Sequence, residues 1–185
     1  MASASQRRVV LLRGINVGSH RRIGMADLRE LLAGHGYEDV RTHLQSGNVV
    51  LTSSLPADRL GTKLERELER GLGFKVEVIV RTRAELARVI SHNPLAGVAK
   101  DPSRYLVTFL RAKPAAKLVR ELRALDVAPE QIAVSGREVY SWHPGGFQSS
   151  PLAKLLSKTG VSTAGTNRNW RTVTKLLELA DEGTA

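Results

Sequence analysis

The order in which two hydrophobic periods alternate along the chain constrains its fold more than any other feature. Arg8 to Leu12 is a short, partly β-branched apolar run ended by Gly14, the pattern of a buried strand. Met25, Leu28, Leu31 and Leu32 then recur at helical spacing until Gly34 and Gly36 stop them. Val40 to Leu44 and Asn48 to Thr52 are strand-like runs around Gln45-Ser46-Gly47, which reads as a tight hairpin with glycine at the left-handed position. Leu60, Leu64, Leu68 and Leu72 form an i, i+4 row behind Pro56, and Val76 to Val80 is again a strand. The resulting order is β-α-β-β-α-β.

Thr82 and Glu85 have capping-box spacing, and Leu86, Val89 and Ile90 give the next helix an apolar face up to Asn93-Pro94. The first pattern then partly returns. A strand from Tyr105 to Leu110 precedes a helix opened by Pro114, with Leu118, Leu122 and Leu125 on one side. Strands Gln131 to Val134 and Glu138 to Trp142 flank Ser135-Gly136-Arg137, and Ser149 or Ser150 caps a helix whose first position is Pro151. Leu152, Leu155 and Leu156 supply its apolar side. An extended piece from Val161 to Gly165 and a terminal helix from about Asn169 complete the order. The halves also share short echoes, Leu11-Leu12-Arg13 with Phe109-Leu110-Arg111 and Ser46-Gly47 with Ser135-Gly136. Element order therefore predicts two split β-α-β units with helices over one face of each antiparallel sheet. They occupy residues 1–81 and 103–185, joined by a linker helix and loop at 82–102.

A chain of 185 residues has room for one ample core or two small ones. Its 42% hydrophobic and 25% charged residues are ordinary for a globular protein, with fraying expected at Met1–Ser5 and Gly183–Ala185. Val9 to Leu12 is too short for a signal peptide core, no segment approaches the roughly 18 apolar residues of a membrane span, and cysteine is absent. A cytoplasmic location is expected, with no thiolate metal site and no cysteine nucleophile. Lys plus Arg number 28 against 18 Asp plus Glu, and the excess is unevenly placed. Residues 1–26 carry five arginines and no acid, and residues 139–177 carry Lys154, Lys158, Arg168, Arg171 and Lys175 without one. These segments are either solvated faces or a surface for acidic partners.

Several positions are candidates for chemistry. Gly165-Thr166-Asn167-Arg168-Asn169-Trp170-Arg171 runs into a helix-periodic segment, so the reading is an anion-facing helix start. Leu12-Arg13-Gly14-Ile15-Asn16-Val17-Gly18 lies where a strand gives way to a loop, but its glycine spacing matches neither a P-loop nor a dinucleotide fingerprint. Gln45-Ser46-Gly47-Asn48 offers amides and a hydroxyl at a hairpin, and equally the ordinary residues of a turn. Trp170 shares a helical face with Val173 and Leu177, which favours core packing over base stacking. His20, His35, His43, His92 and His143 fall in no metal or triad spacing; His143, after a strand and before Pro144-Gly145-Gly146, is the one placed for acid–base work. No metal and no cofactor are expected.

Three of these motifs, in order, carry a resemblance. Leu12 to Gly18, Gln45 to Val50 and Arg168-Asn169-Trp170 through Val173 resemble the uncharacterised bacterial family of domain of unknown function 1697, from about Arg8 to Leu179. The resemblance implies an α+β fold of two tandem ferredoxin-like (βαββαβ) halves with antiparallel sheets and a C-terminal helix. It implies no activity. Arg13, Asn16, Gln45, Ser46, Asn48, Arg168, Asn169 and Trp170 match its motif positions and are the candidate ligand-binding residues, whereas Arg171 stands where the family often has asparagine. The leading expectation is an anion-binding module for a phosphate-bearing ligand such as RNA or a nucleotide, although aromatics at 4% are few for single-strand recognition. The alternatives are an enzyme on a small anionic substrate, with Arg13 and Arg168 clamping it and Ser46 or His143 reacting, and a structural or protein-interaction domain.

Overall fold

The computed structural model describes residues 5–17 and 21–182; Gly18 of the first loop motif, His20 and most of the termini expected to fray lie outside the described residues. Grouped by contact, the described residues up to Arg88 and those from Lys175 onward form one unit, and Val89–Thr174 form another.

The first unit contains β1 (Gln6–Arg13), α1 (Met25–Gly34), β2 (Glu38–His43), β3 (Asn48–Ser53), α2 (Ala57–Leu72) and β4 (Glu77–Thr82). Its sheet has the order β2-β3-β1-β4, with each pairing antiparallel. Strand alternation sends Val10, Leu12, Val49, Leu51, Val78 and Val80 into one core with Leu28 and Leu32 of α1 and Leu60, Leu64 and Leu68 of α2. Leu60, Leu64 and Leu68 of the leucine row form the buried stripe of α2, with Leu72 partly buried at its end, and Leu64→Ala there would cost about 2–5 kcal/mol. Gly73 ends α2 in the left-handed conformation, returning its N–H to the Glu69 carbonyl. Val9 and Leu11, on the other face of β1, are buried as well, which is why this strand reads as continuously apolar.

The capping box predicted at Thr82 and Glu85 opens α3 (Arg83–His92). Glu85 accepts from the Thr82 N–H at 2.8 Å, and Thr82 Oγ1 accepts from the Glu85 N–H at 3.1 Å. Then follow β5 (Tyr105–Leu110), α4 (Ala116–Arg123), β6 (Gln131–Ser135), β7 (Glu138–Trp142), α5 (Pro151–Lys158), α6 (Val161–Ala164), β8 (Gly165–Asn169) and α7 (Trp170–Asp181). The second sheet has the order β6-β7-β5-β8, again antiparallel. Leu110, Val139, Leu122 of α4, Leu152 and Leu156 of α5, and Val161 of α6 form a core of this unit. Ser150 is the cap of α5, its hydroxyl accepting from the Ala153 N–H.

Both sheets place their fourth strand beside the first and their second strand at the far edge, so the fold is α+β with two tandem ferredoxin-like halves. One local expectation is corrected. Val161 to Ala164 is a helical turn, not an extended piece, and Gly165 to Asn169 is the strand that completes the second sheet. Arg168 therefore stands in a strand paired with Val107, two residues before α7 begins at Trp170, and not in the helix start expected around it. Gly165 is required there: a Cβ would come within 2.5 Å of the Phe109 carbonyl.

Candidate functional site

The loop after β1 and the hairpin between β2 and β3 are built against each other. The Gly47 carbonyl accepts the Leu12 N–H at 2.8 Å, and Gly47 adopts φ +78°. A Cβ on Gly47 would lie 2.7 Å from both Leu12 Cβ and Ile15 Cδ1, so the glycine is what lets the hairpin close on the loop. Asn16 completes the joint. Its amide donates to the carbonyls of Ile23 at 3.0 Å and Gln45 at 2.7 Å, and its oxygen accepts the Ile23 N–H at 2.9 Å. Asn16 has φ +55°, a conformation asparagine tolerates better than most residues. Within the hairpin, the buried Asn48 donates to the His43 carbonyl at 2.7 Å and to Ser46 Oγ at 3.0 Å.

Two of the three sequence motifs thus meet in one unit, and their amides are engaged with main chain. Arg13, at the end of β1, pairs with Glu77 at 2.6 Å across the strands, a half-exposed contact of ~0–1 kcal/mol. Arg21 and Arg22 are exposed on the same loop, and Arg21 Nη1 lies 3.7 Å from the position a Gly14 Cβ would take. Gln45 and Ser46 are exposed at the hairpin tip.

The third motif belongs to the second unit. Arg168 is 6% exposed, with Nη1 donating to Thr166 Oγ1 and the Asn167 carbonyl, both at 2.7 Å. Burial brings its guanidinium down to about 10, since the interior disfavours the charged form. Asn169 Oδ1 accepts the Thr172 N–H at 2.9 Å, the geometry of a helix cap at the start of α7. Trp170 stacks on Tyr105 with centroids 4.7 Å apart and planes 16° apart. Arg171 is exposed, and its N–H points to the Pro102 carbonyl.

His143 is fully buried. Its Nδ1 lies 2.8 Å from Ser150 Oγ and 3.4 Å from Glu130 Oε1, and its Nε2 lies 2.8 Å from Ser141 Oγ. Glu130 Oε2 also accepts the Leu152 N–H at 2.7 Å. Burial pushes the imidazole below its usual range against the opposing pull of Glu130. An enclosed ring with both nitrogens occupied ties β7 to the start of α5 and has no opening toward a substrate.

A feature the sequence reading did not isolate lies at the other end of β1. A cavity of about 440 Å³ is lined in part by Arg7, Arg8, Asp39, Thr52, Thr82 and Arg83. Its only sequence signal is Arg7-Arg8 at the head of an apolar strand, where alternation turns adjacent arginines to opposite faces. Among the described residues, no helix is long and apolar enough to cross a membrane.

A family model described as "Protein of unknown function (DUF1697)" matches residues 6–140. The chain belongs to this family. The matched stretch covers the first two motifs and ends before Arg168-Asn169-Trp170. Among solved structures, the chain is similar to one described as the conserved bacterial protein SP0830 from Streptococcus pneumoniae. That likeness has a TM-score of 0.81 at 23% identity, covers 96% of this chain and 100% of the other, and establishes the shared fold. No curated protein matches.

Proposed function

We propose that this member of the family is an anion-binding module for a phosphate-bearing ligand, RNA or a nucleotide. The ligand is received on the first unit, where the loop after β1 meets the hairpin. Arg13, Gln45 and Ser46 contact it together with Arg21 and Arg22, while Asn16 and Asn48 hold the main chain that carries them. In the second unit, Arg168, Asn169 and Trp170 have a supporting part, fixing β8 and the first turn of α7.

The observation that carries this reading is the bonding of Asn16. Two hydrogen bonds from this side chain to Ile23 close the arginine loop and a third to Gln45 joins that loop to the hairpin, so cationic and amide groups sit on one preorganised surface. The absence of any acid in residues 1–26 supports the sign of the ligand.

The test is a salt series of binding to mixed-sequence RNA and DNA oligonucleotides, followed by fluorescence anisotropy. Affinity is expected to fall as salt rises. Arg21→Gln and Arg22→Gln should each weaken binding across sequences and reduce the log–log salt slope by about one. No binding at low salt, or an unchanged slope in both variants, would sink the proposal.

A further inference from the structure

The junction of loop and hairpin carries apolar surface that a phosphate alone would leave unused. Val17 is 72% exposed and Leu44 56%, the most exposed large hydrophobic side chains among the described residues. They are not scattered. Val17 follows Asn16 and Leu44 precedes Gln45, so the two flank the 2.7 Å bond from the Asn16 amide to the Gln45 carbonyl. Their neighbours Leu12 and Ile15 are buried against Gly47, so the core takes those apolar residues and leaves Val17 and Leu44 outside.

The backbone holds Leu44 there against its own preference. Its φ of +59° lies in the left-handed region, where a Cβ crowds the following carbonyl. Asn16 and Arg21, both at +55°, share that conformation, and the Asn16 N–H donates to the Arg21 carbonyl at 3.0 Å. Three of the five non-glycine residues with positive φ among the described residues thus belong to this one junction. Folding alone would favour glycine or asparagine at position 44, so a strained, exposed leucine points to a surface shaped for a partner.

The surroundings of the pair set that partner's chemistry. Arg21 and Arg22 are exposed on the same loop, and Arg13, paired with Glu77, is partly exposed at the end of β1. Gln45, exposed beside Leu44, offers an amide that can meet a hydroxyl. A fitting ligand presents phosphates, a hydroxyl and a flat apolar face within a nucleotide's reach of one another. Inorganic phosphate and sugar phosphates lack the apolar face. In an RNA duplex stacking hides the base faces, and the grooves show only base edges, 2′-hydroxyls and phosphates. An unpaired strand splays its bases out from the backbone, and every base has a face to cover, so recognition is tolerant of sequence. We infer that Val17 and Leu44 receive the bases of single-stranded RNA, with its phosphates on Arg13, Arg21 and Arg22 and a 2′-hydroxyl on Gln45. This rests on the phosphate-binding reading above and narrows its ligand to an unpaired ribonucleotide strand.

Fluorescence anisotropy of the full chain tests it with oligouridylate, oligodeoxyuridylate and a deoxyribose-phosphate oligomer without bases, all of one length, and with an RNA duplex. Oligouridylate is expected to bind about tenfold more tightly than the baseless oligomer, with oligodeoxyuridylate between them and the duplex weaker than the single strand. Leu44→Asn suits the left-handed backbone and Val17→Thr keeps the side-chain shape, so both should fold. Each should weaken oligouridylate binding about threefold to tenfold while leaving the baseless oligomer and the salt slope unchanged. Arg21→Gln should weaken both oligomers alike. If no oligomer binds at low salt, the phosphate reading falls and this inference with it. If the baseless oligomer binds as well as oligouridylate, or both Leu44→Asn and Val17→Thr bind oligouridylate like the parent, the phosphate reading stands and this inference alone is overturned. Tighter binding of the duplex, or equal affinity for oligodeoxyuridylate, likewise overturns the assignment to single-stranded RNA.

Discussion

The side-chain amide of Asn16 donates to the main-chain carbonyl of Gln45 at 2.7 Å, bridging 29 residues of sequence. With its two bonds to Ile23, this makes Asn16 the fastener of the first unit's loops. Asn16→Ala should destabilise the protein by about 2–4 kcal/mol, from three lost bonds and a strained left-handed alanine. Asn16→Gly should cost about 1 kcal/mol less, because glycine accepts that conformation. Urea denaturation measures both, and hydrogen exchange at the Ile23 N–H reports the loop directly. Equal stability of Asn16→Ala and the parent would remove the fastening role.

Gly47 faces a wall rather than solvent. Gly47→Ala must displace Leu12 Cβ and Ile15 Cδ1 and hold alanine at φ +78°, an expected loss of about 2–4 kcal/mol. Thermal melts would show it, and a crystal structure of the variant should find the hairpin lifted from the loop. An unshifted melting point would mean that the contact yields freely.

Acid should loosen the second unit through His143. Its folded pKa is depressed by burial, whereas the unfolded imidazole titrates near about 6.5. Below that value the unfolded chain binds the extra proton, so the stability contributed by neutral His143 is present above about 6.5 and lost as pH falls through the folded pKa. His43 in the first unit is depressed as well, by burial and then by Lys175, and adds a slope of the same sign. Urea midpoints measured from pH 8 to 5 should therefore decline, and the decline should be shallower in His143→Gln. An identical slope in that variant would assign the effect elsewhere.

Alkali acts with the opposite sign. All three tyrosines are raised above the ordinary phenol: Tyr37 to about 12 by burial and the Glu67 bond, Tyr105 to about 12 by burial, and Tyr140 further by burial and nearby acid. Stability from their protonated forms is present below the unfolded value of about 10 and is lost as pH rises through the folded values. Phenolate absorbance of the folded protein should stay flat near pH 10 and then appear together with unfolding. A separate ionisation step near 10 in folded protein would show that one phenol is accessible.

The fold was readable because its apolar rows are strong. Leu60, Leu64 and Leu68 declare α2, and Val9 to Leu12 declares a strand buried on both faces. β8 escaped because Thr166-Asn167-Arg168-Asn169 has no apolar alternation; it is held by pairing with β5, with Thr108 Oγ1 donating to Asn167 at 2.8 Å. Motifs at the loop and hairpin were visible as residue types. That Asn16 and Asn48 turn their amides onto main chain was not, because a polar side chain's direction depends on which carbonyls the fold brings near. The cavity at Arg7 and Arg8 was hidden for a similar reason: its walls come from four strands and one helix start, far apart in sequence.

The end of α7 has a consequence in time. Asp181 pairs with Arg83, and Glu182 pairs with Arg41 while taking a bond from Arg7, so three positions of the first unit are tied to residues that follow the whole second unit in sequence. On the ribosome the strands and helices of that unit emerge first, yet its last ties cannot form until the whole second unit has been made. A nascent chain stalled after β8 should hold a first unit more open to protease than the released protein does.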